Sequence, residues 1–375
     1  MKVKLGDIAT YINGYAFKPS DWKTQGIPII RIQDLTGNSY QTNYYDGESI
    51  DKKYEVNEGD VLISWSASLG VYIWKGEKAL LNQHIFKVVF DKIDIDKMYY
   101  IYALKFSLMK MKSFMHGATM KHIVKKDFDN ITIPFPSLEE QSKIAGILQL
   151  VEGIIEKRKK QLEDLDELVK ARFVEMFGDP VENPMGWEIG KIRDIVSDVR
   201  YGTSRPAVEN GQYPYLRMNN ITYNGELDLS DIKKIDIPEN ELEKCTVRFG
   251  DVLFNRTNSR ELVGKTCVYN RNELMVLAGF IIRVRVNERM LPEFLSSFLN
   301  SDFSKKMLLN MCKTAIGQAN INAQEMQNIN IYIPPINVQE TFVNFKLEVD
   351  NIKEKIQKSL DETQVLFDSL MQKYF

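Results

Sequence analysis

Apolar residues follow two rhythms along this chain. Short runs rich in β-branched and aromatic residues, at 27–32, 61–65, 85–90, 247–254 and 280–286, are set apart by Gly, Asn and Asp. Such runs predict strands. Stretches 97–114 and 291–311 read as helices. From 138 to 177 the rhythm changes: Ile144, Ile147, Val151, Ile154, Leu162, Leu165, Leu168, Phe173 and Phe177 recur at threes, fours or their sums, and no proline interrupts. Ser137-Leu138-Glu139-Glu140 has the form of a capping box just after Pro134 and Pro136, and Asn337-Val338-Gln339-Glu340 reads as its counterpart after Pro334 and Pro335. The second stretch carries Ile352, Ile356, Leu360 and Leu366 on its stripe. A helix of about 40 residues is roughly 60 Å long. An apolar stripe of that length asks for an equally long partner, as in a coiled coil.

The partner is supplied by an internal repeat. Lys4-Leu5-Gly6-Asp7-Ile8 matches Glu188-Ile189-Gly190-Lys191-Ile192 at an offset of 184 residues. Glu58-Gly59-Asp60-Val61-Leu62 matches Phe249-Gly250-Asp251-Val252-Leu253 at 191, and Asn130-Ile131-Thr132-Ile133 matches Asn328-Ile329-Asn330-Ile331 at 198. The last offset then holds to the end, pairing Leu138 with Ile336, Gln141 with Gln339, Leu162 with Leu360 and Phe177 with Phe375. Three matches in one order with slowly drifting spacing mean two copies of one plan. A direct repeat whose two helices pack with pseudo-two-fold symmetry makes them antiparallel. Gly178-Asp179-Pro180 and Asn183-Pro184-Met185-Gly186 break the chain between the copies.

Composition narrows the class. Hydrophobic residues at 44% and charged residues at 27% are ordinary globular values and exclude a disordered chain. Cys245, Cys267 and Cys312 are too few and scattered for a disulfide scaffold. With no 18-residue apolar run and no leader-like start, the expectation is a soluble cytoplasmic protein. The net charge of −2 argues at first against nucleic acid. By segment the picture changes: 138–177 holds 7 basic and 9 acidic residues and 338–375 holds 5 and 7, which leaves the remainder at +2. The mixed segments are mildly basic and the helices mildly acidic. Lys157-Arg158-Lys159-Lys160 reads as a solvated face or as a contact for DNA backbone or a partner subunit.

Catalytic signatures are missing. His84, His116 and His122 form no zinc spacing, and there is no phosphate-binding loop or serine elbow. Asn183-Pro184-Met185-Gly186 lacks the second proline and the stacking aromatic of an adenine methyltransferase motif. Two heads, a long spacer and no chemistry suit a reader or a ruler.

In this order, twice, the motifs resemble the specificity subunit of Type I restriction–modification systems. Leu5-Gly6-Asp7-Ile8, Gly59-Asp60-Val61-Leu62, Gly250-Asp251-Val252-Leu253, Ile133-Pro134-Phe135-Pro136 and Ile333-Pro334-Pro335 carry the resemblance. So does the junction from Phe177-Gly178-Asp179-Pro180 to Trp187. The resemblance covers the whole chain. It implies an α+β fold in which two pseudo-repeated target-recognition domains, at 1–136 and 179–335, are joined by two long antiparallel helices. Those helices, at 137–178 with the junction and at 336–375, form a coiled-coil spacer. It also implies a non-catalytic subunit with no cofactor of its own. Double-stranded DNA and two modification subunits are its partners, the latter binding S-adenosylmethionine and methylating adenine N6. Motor–nuclease subunits can join them. Each domain then reads one half of a bipartite site, and the helices set the gap. A span of roughly 34 Å, one turn of B-DNA, is compatible with a rod of that length.

Sequence readers need polar and basic side chains on loops. Six loops at equivalent points of the copies have them. In the first domain the candidates are Tyr15 and Lys18, then Ser64, Ser66 and Ser68 around Trp65, then Thr119, Lys121 and His122. In the second they are Tyr201, Thr203, Ser204 and Arg205, then Asn255, Arg256, Thr257, Asn258 and Arg260, then Gln318 and Asn320. Arg256 and Arg260 suit guanine O6/N7, and Asn258 suits adenine N6/N7. Trp65 reads more readily as core than as a stacking platform. Gly59-Asp60 and Gly250-Asp251 read as structural turns. The rival readings are a two-headed protein-binding scaffold, a methyltransferase or nuclease in its own right, and the specificity subunit of a related system that cuts on both sides of its site.

Overall fold

The computed structural model describes residues 1–37, 41–46, 50–66, 68–114, 124–315 and 318–375. The chain forms two compact units, Met1–Arg158 with Ser359–Phe375, and Lys159–Lys358. Each unit takes part of both long helices.

In the first unit an antiparallel sheet runs in the order Thr10–Asn13, Ile85–Val89, Val61–Ser64, Gly70–Ile73. A second sheet runs Asn43–Tyr45, Ile27–Ile30, Ala79–Leu81, Glu55–Val56, with its central pair parallel. All four residues of Val61–Ser64 are buried, as a continuous apolar run between two layers requires. Helix Lys97–Phe114 buries Tyr99, Tyr100, Tyr102 and Phe106. Strand Lys2–Lys4 pairs with Thr132–Pro134, which brings the domain's two ends together at the start of the long helix.

The second unit repeats this plan. Its main sheet runs Val196–Tyr201, Ile281–Val286, Val252–Asn255, Thr266–Val268, again antiparallel. Its second sheet runs Lys233–Ile235, Tyr213–Leu216, Val276–Leu277, and Thr246 bridges Val276 where Glu55–Val56 stands in the first copy. Glu188–Lys191 pairs with Asn330–Ile333. A ribbon of Thr257–Asn258, Gln318–Asn320 and Lys313–Ala315 completes it.

The repeat holds at single residues. Gly59 and Gly250 turn the chain at φ +89° and +85°, which is where a glycine is favoured. After each, a carboxylate closes the turn: Asp60 accepts the N–H of Asn57 at 2.9 Å, and Asp251 that of Arg248 at 2.8 Å. The strand expected over 247–254 therefore starts only at Val252. The helix expected over 291–311 breaks into Pro292–Asn300 and Asp302–Met311. Ser301 is extended and caps the second piece, its Oγ accepting the Ser304 N–H at 3.2 Å.

The long helices run Leu138–Phe177 and Ile336–Tyr374. Ser137 caps the first by accepting the Glu140 N–H at 3.3 Å. Asn337 is no such cap: it lies inside the second helix, and Pro335 holds the place of Ser137. What the two starts share is a buried glutamine. Gln141 Oε1 accepts the Asp96 N–H at 2.9 Å, and its Nε2 donates to Pro136 O at 2.9 Å. Gln339 Oε1 accepts the Leu291 N–H at 2.9 Å, and its Nε2 donates to Arg289 O and Pro334 O. Each amide ties its helix to the start of the domain's own helix with every strong group partnered.

Within each unit the two helices run antiparallel. In the first, Arg158 donates to Ser359 O and Thr363 Oγ1, while Phe375 meets Tyr99 at 5.2 Å, whose hydroxyl donates to Pro134 O just ahead of the first helix. In the second, Asp166 pairs with Lys353 at 2.6 Å and Phe173 meets Phe342 at 5.2 Å. Of the expected stripe, Ile144, Val151 and Leu360 are buried, and Ile147, Ile154, Leu162, Leu165 and Ile356 are half-buried. Leu168, Ile352 and Leu366 are corrected: they are 47%, 47% and 50% exposed. Each lies one residue before the true seam, which takes Val169, Lys353 and Phe367. A stripe read from apolar residues alone steps over Arg158 and Lys353, whose stems lie in the seam while their charged ends find partners.

Candidate nucleic-acid interface

In the first unit Ser64, Ser66 and Ser68 lie at and just past the end of the central strand, and Tyr15 and Lys18 follow the edge strand Thr10–Asn13. Ser64 is fully buried and its hydroxyl donates to Ser68 O, so its expected place on the surface is corrected. Ser66 is half-buried, and Tyr15, Lys18 and Ser68 are exposed. Tyr15 packs edge-on against Phe17 and Tyr54 at 4.9 and 5.5 Å. Thr119, Lys121 and His122 lie outside the described residues.

Trp65 is half-buried and packs against the apolar core of the first unit. It stacks on Phe86 at 5.6 Å, meets His84 edge-on at 4.9 Å and donates its indole N–H to Asn13 Oδ1 at 3.1 Å. His84 is exposed and holds φ +73°, a conformation costly for a residue with a Cβ. Asn13 and His84 were not among the expected contacts. The signal for them is the repeat carried through residue by residue, not local composition.

In the second unit Thr203, Asn255 and Thr257 are buried at 7%, 0% and 6% exposure, and they too are corrected as contacts. The cause is the same for Ser64 and Asn255: both are the last residue of the central strand, still covered on both faces. Arg205 is exposed, but its guanidinium is held by Glu241 at 2.7 and 3.2 Å, and that bond keeps the Glu241 carboxyl below its ordinary pKa. Ser204 and Arg260 are exposed, and Asn258 is half-buried with its Oδ1 accepting the Ser259 N–H. Gln318 lies on a described strand, but its side chain lies outside the described residues.

Arg256 is the centre of this edge. Its guanidinium lies over the ring of Tyr201, 4.9 Å from the centroid. Among the described residues it makes long bonds, 3.2 Å to Asn320 Oδ1 and 3.4 Å to Gly279 O, and its buried Nε has no hydrogen-bond partner there. Among the described residues no carboxylate pairs with it, whereas Arg205, Arg217, Arg283 and Arg285 each have one. Tyr201 is 43% and the adjacent Phe280 49% exposed. The Tyr201 hydroxyl accepts the Ala323 N–H at 2.8 Å, which holds the ring in place.

The family of the Type I restriction modification DNA specificity domain matches residues 1–164 and again residues 184–362. The chain belongs to this family. The two matches in tandem are the two copies whose main sheets share one strand order. The chain is similar to the specificity subunit of the EcoBI Type I restriction enzyme of Escherichia coli, at 23% identity over all of this chain (100%) and 85% of that one. The specificity subunit of the MjaVIII enzyme of Methanocaldococcus jannaschii is 27% identical, covering 96% of this chain and 88% of its own. Among solved structures, the S subunit of a Type I restriction–modification system from M. genitalium superposes with a TM-score of 0.55 at 15% identity, covering 100% and 96% of the two chains. A chain from a type I assembly studied for its conformational transition gives 0.59 at 16% identity, over 100% and 97%. At those identities the likeness establishes the shared fold. As a specificity subunit the chain is the DNA-recognition component of its system, and catalysis lies in other subunits. Among the described residues no helix is long and apolar enough to cross a membrane.

Proposed function

We propose that each α+β domain of this specificity subunit reads one half of a bipartite, asymmetric site in double-stranded DNA. The long helices set the unread gap between the halves. They also dock two modification subunits, which carry S-adenosylmethionine and methylate adenine N6, and restriction subunits join that core. The observation that supports this most is the residue-level repeat: one sheet order, one glycine turn and one buried glutamine latch occur twice, while the exposed edges differ in chemistry. Two equal frames with unlike edges suit two unlike half-sites. The mild basic balance outside the helices suits a reader whose partners add phosphate contacts.

The test is a single-molecule map of adenine methylation in the host genome with and without the gene. A bipartite motif that loses its methylation on deletion is expected, and it names both half-sites at once. An unchanged map would count against a DNA-reading role.

A further inference from the structure

Laying one domain's hydrogen bonds over the other's aligns the edges. Gly14 N–H donates to Ile85 O as Gly202 N–H does to Ile281 O, and Trp65 N–H donates to His84 O as Arg256 N–H does to Phe280 O. Asn13 therefore occupies the place of Tyr201, Trp65 that of Arg256, and His84 that of Phe280. In both domains the second member rests on the first: Trp65 bonds Asn13, and Arg256 stacks on Tyr201. The third stands beside them, exposed.

Resting on the DNA-reading function proposed above, we infer that these three positions are the base-reading point of each domain. Arg256 reads a guanine in the half-site of the second domain, while Asn13, Trp65 and His84 read the half-site of the first. The frame beneath is common to both domains, so the difference in chemistry lies in what is presented. In the second domain a guanidinium is partly withdrawn from water and, among the described residues, has no counter-charge and carries an unused donor. Such a group gains most from a paired acceptor in a fixed plane. Guanine O6 and N7 form such a pair in the major groove. Tyr201 below and Asn320 at the rim set the plane in advance, so less is lost on binding. The first domain presents an indole, an imidazole and an amide but no guanidinium, so its preference at the equivalent point is for another base. The strained backbone at His84 fits a side chain held out for contact.

The experiment uses the full chain assembled with its modification subunits and a pool of randomised duplex DNA, with bound sequences read after selection. The wild-type complex selects a two-part motif. Arg256→Lys keeps the charge and loses the fork. It is expected to relax one guanine position in one half by about 10- to 100-fold and to leave the other half unchanged. His84→Asn, which tolerates the same backbone, and Trp65→Phe are expected to shift the other half only. An unchanged motif for Arg256→Lys overturns the inference. So does an even loss of affinity across all sequences, which is the mark of a phosphate contact. If Arg256→Lys fails to assemble, Tyr201→Phe and His84→Asn carry the same test, and unaltered motifs for both overturn it. A wild-type complex that selects no motif removes the proposed function itself, which distinguishes that failure from this one.

Discussion

Where the first domain seats Lys87 under its main sheet, the second seats Arg283, and the two neighbourhoods diverge from there. Lys87 Nζ donates to Glu55 O, and Arg283 donates to the equivalent carbonyl of Thr246. Around Lys87 the equivalent positions hold Thr10 and Val89, as the strand register shows. Around Arg283 they hold Asp198 and Arg285, and with Asp251 these form a connected set of charges: Arg283 to Asp198 at 2.7 Å, Arg285 to Asp251 at 2.7 Å, Arg283 to Asp251 at 4.0 Å. One backbone frame thus tolerates a single half-buried cation or a cluster of linked charges, which Arg200 joins through Asp198 at 2.9 Å. The frame depends on apolar burial and the turn, and the polar filling varies freely so long as each member has a partner. That freedom also lets the exposed edges drift apart in chemistry.

The largest expected effect probes this contrast directly. Asp251 is 2% exposed and serves Arg283, Arg285 and the Arg248 N–H. Asp251→Ala leaves two cations short of a partner and is expected to cost the second unit about 3–5 kcal/mol. Asp60→Ala removes only the turn's bond to the Asn57 N–H and is expected to cost about 1 kcal/mol. Denaturant unfolding, with hydrogen exchange assigning the loss to each unit, measures both. Equal losses would break the comparison.

A smaller effect tests what the copies share. Gln141→Leu strands the Asp96 N–H and Pro136 O, and Gln339→Leu strands the Leu291 N–H with two carbonyls. Each is expected to cost about 1–3 kcal/mol, with Gln339 at the upper end. Melting of the two variants would sharpen the point: a large loss in one copy and none in the other would mean that the latch is not part of the common frame.

The last effect is one of pH. Burial, and after it the nearby Lys170, push Lys305 in the second unit down to about 8. Its ammonium lies over Tyr223 at 3.6 Å, whereas Lys110, on the first unit's helix, is exposed over Phe106 at 4.1 Å. Between pH 8 and the unfolded value of 10.5 the unfolded chain holds the proton that the folded chain has lost. Raising the pH across that window therefore favours the folded state. The unfolding free energy of the second unit should rise there, and Lys305→Met should flatten the slope. A slope that persists in the variant would assign it to another group.

The sequence by itself determined the two-copy plan, the long helices, the glycine turns and the loop positions where candidates cluster. Periods, caps and turn residues are local and can be read in a short window, and the two-copy plan shows as motifs recurring in one order at a slowly drifting offset. Only the tertiary structure decided which residues of those windows face out. Ser64, Thr203, Asn255 and Thr257 have the composition of a reading loop but lie under strand neighbours brought from far along the chain. Leu168, Ile352 and Leu366 fit the stripe but stand one residue off the seam, because the packed helices place the stems of Arg158 and Lys353 where an apolar pattern expects leucine or isoleucine. Arg256 and Tyr201, or Trp65, His84 and Asn13, become neighbours only when separate strands pair in register. Periodicity is set by the backbone's own geometry, while exposure and partnership are set by long-range pairing.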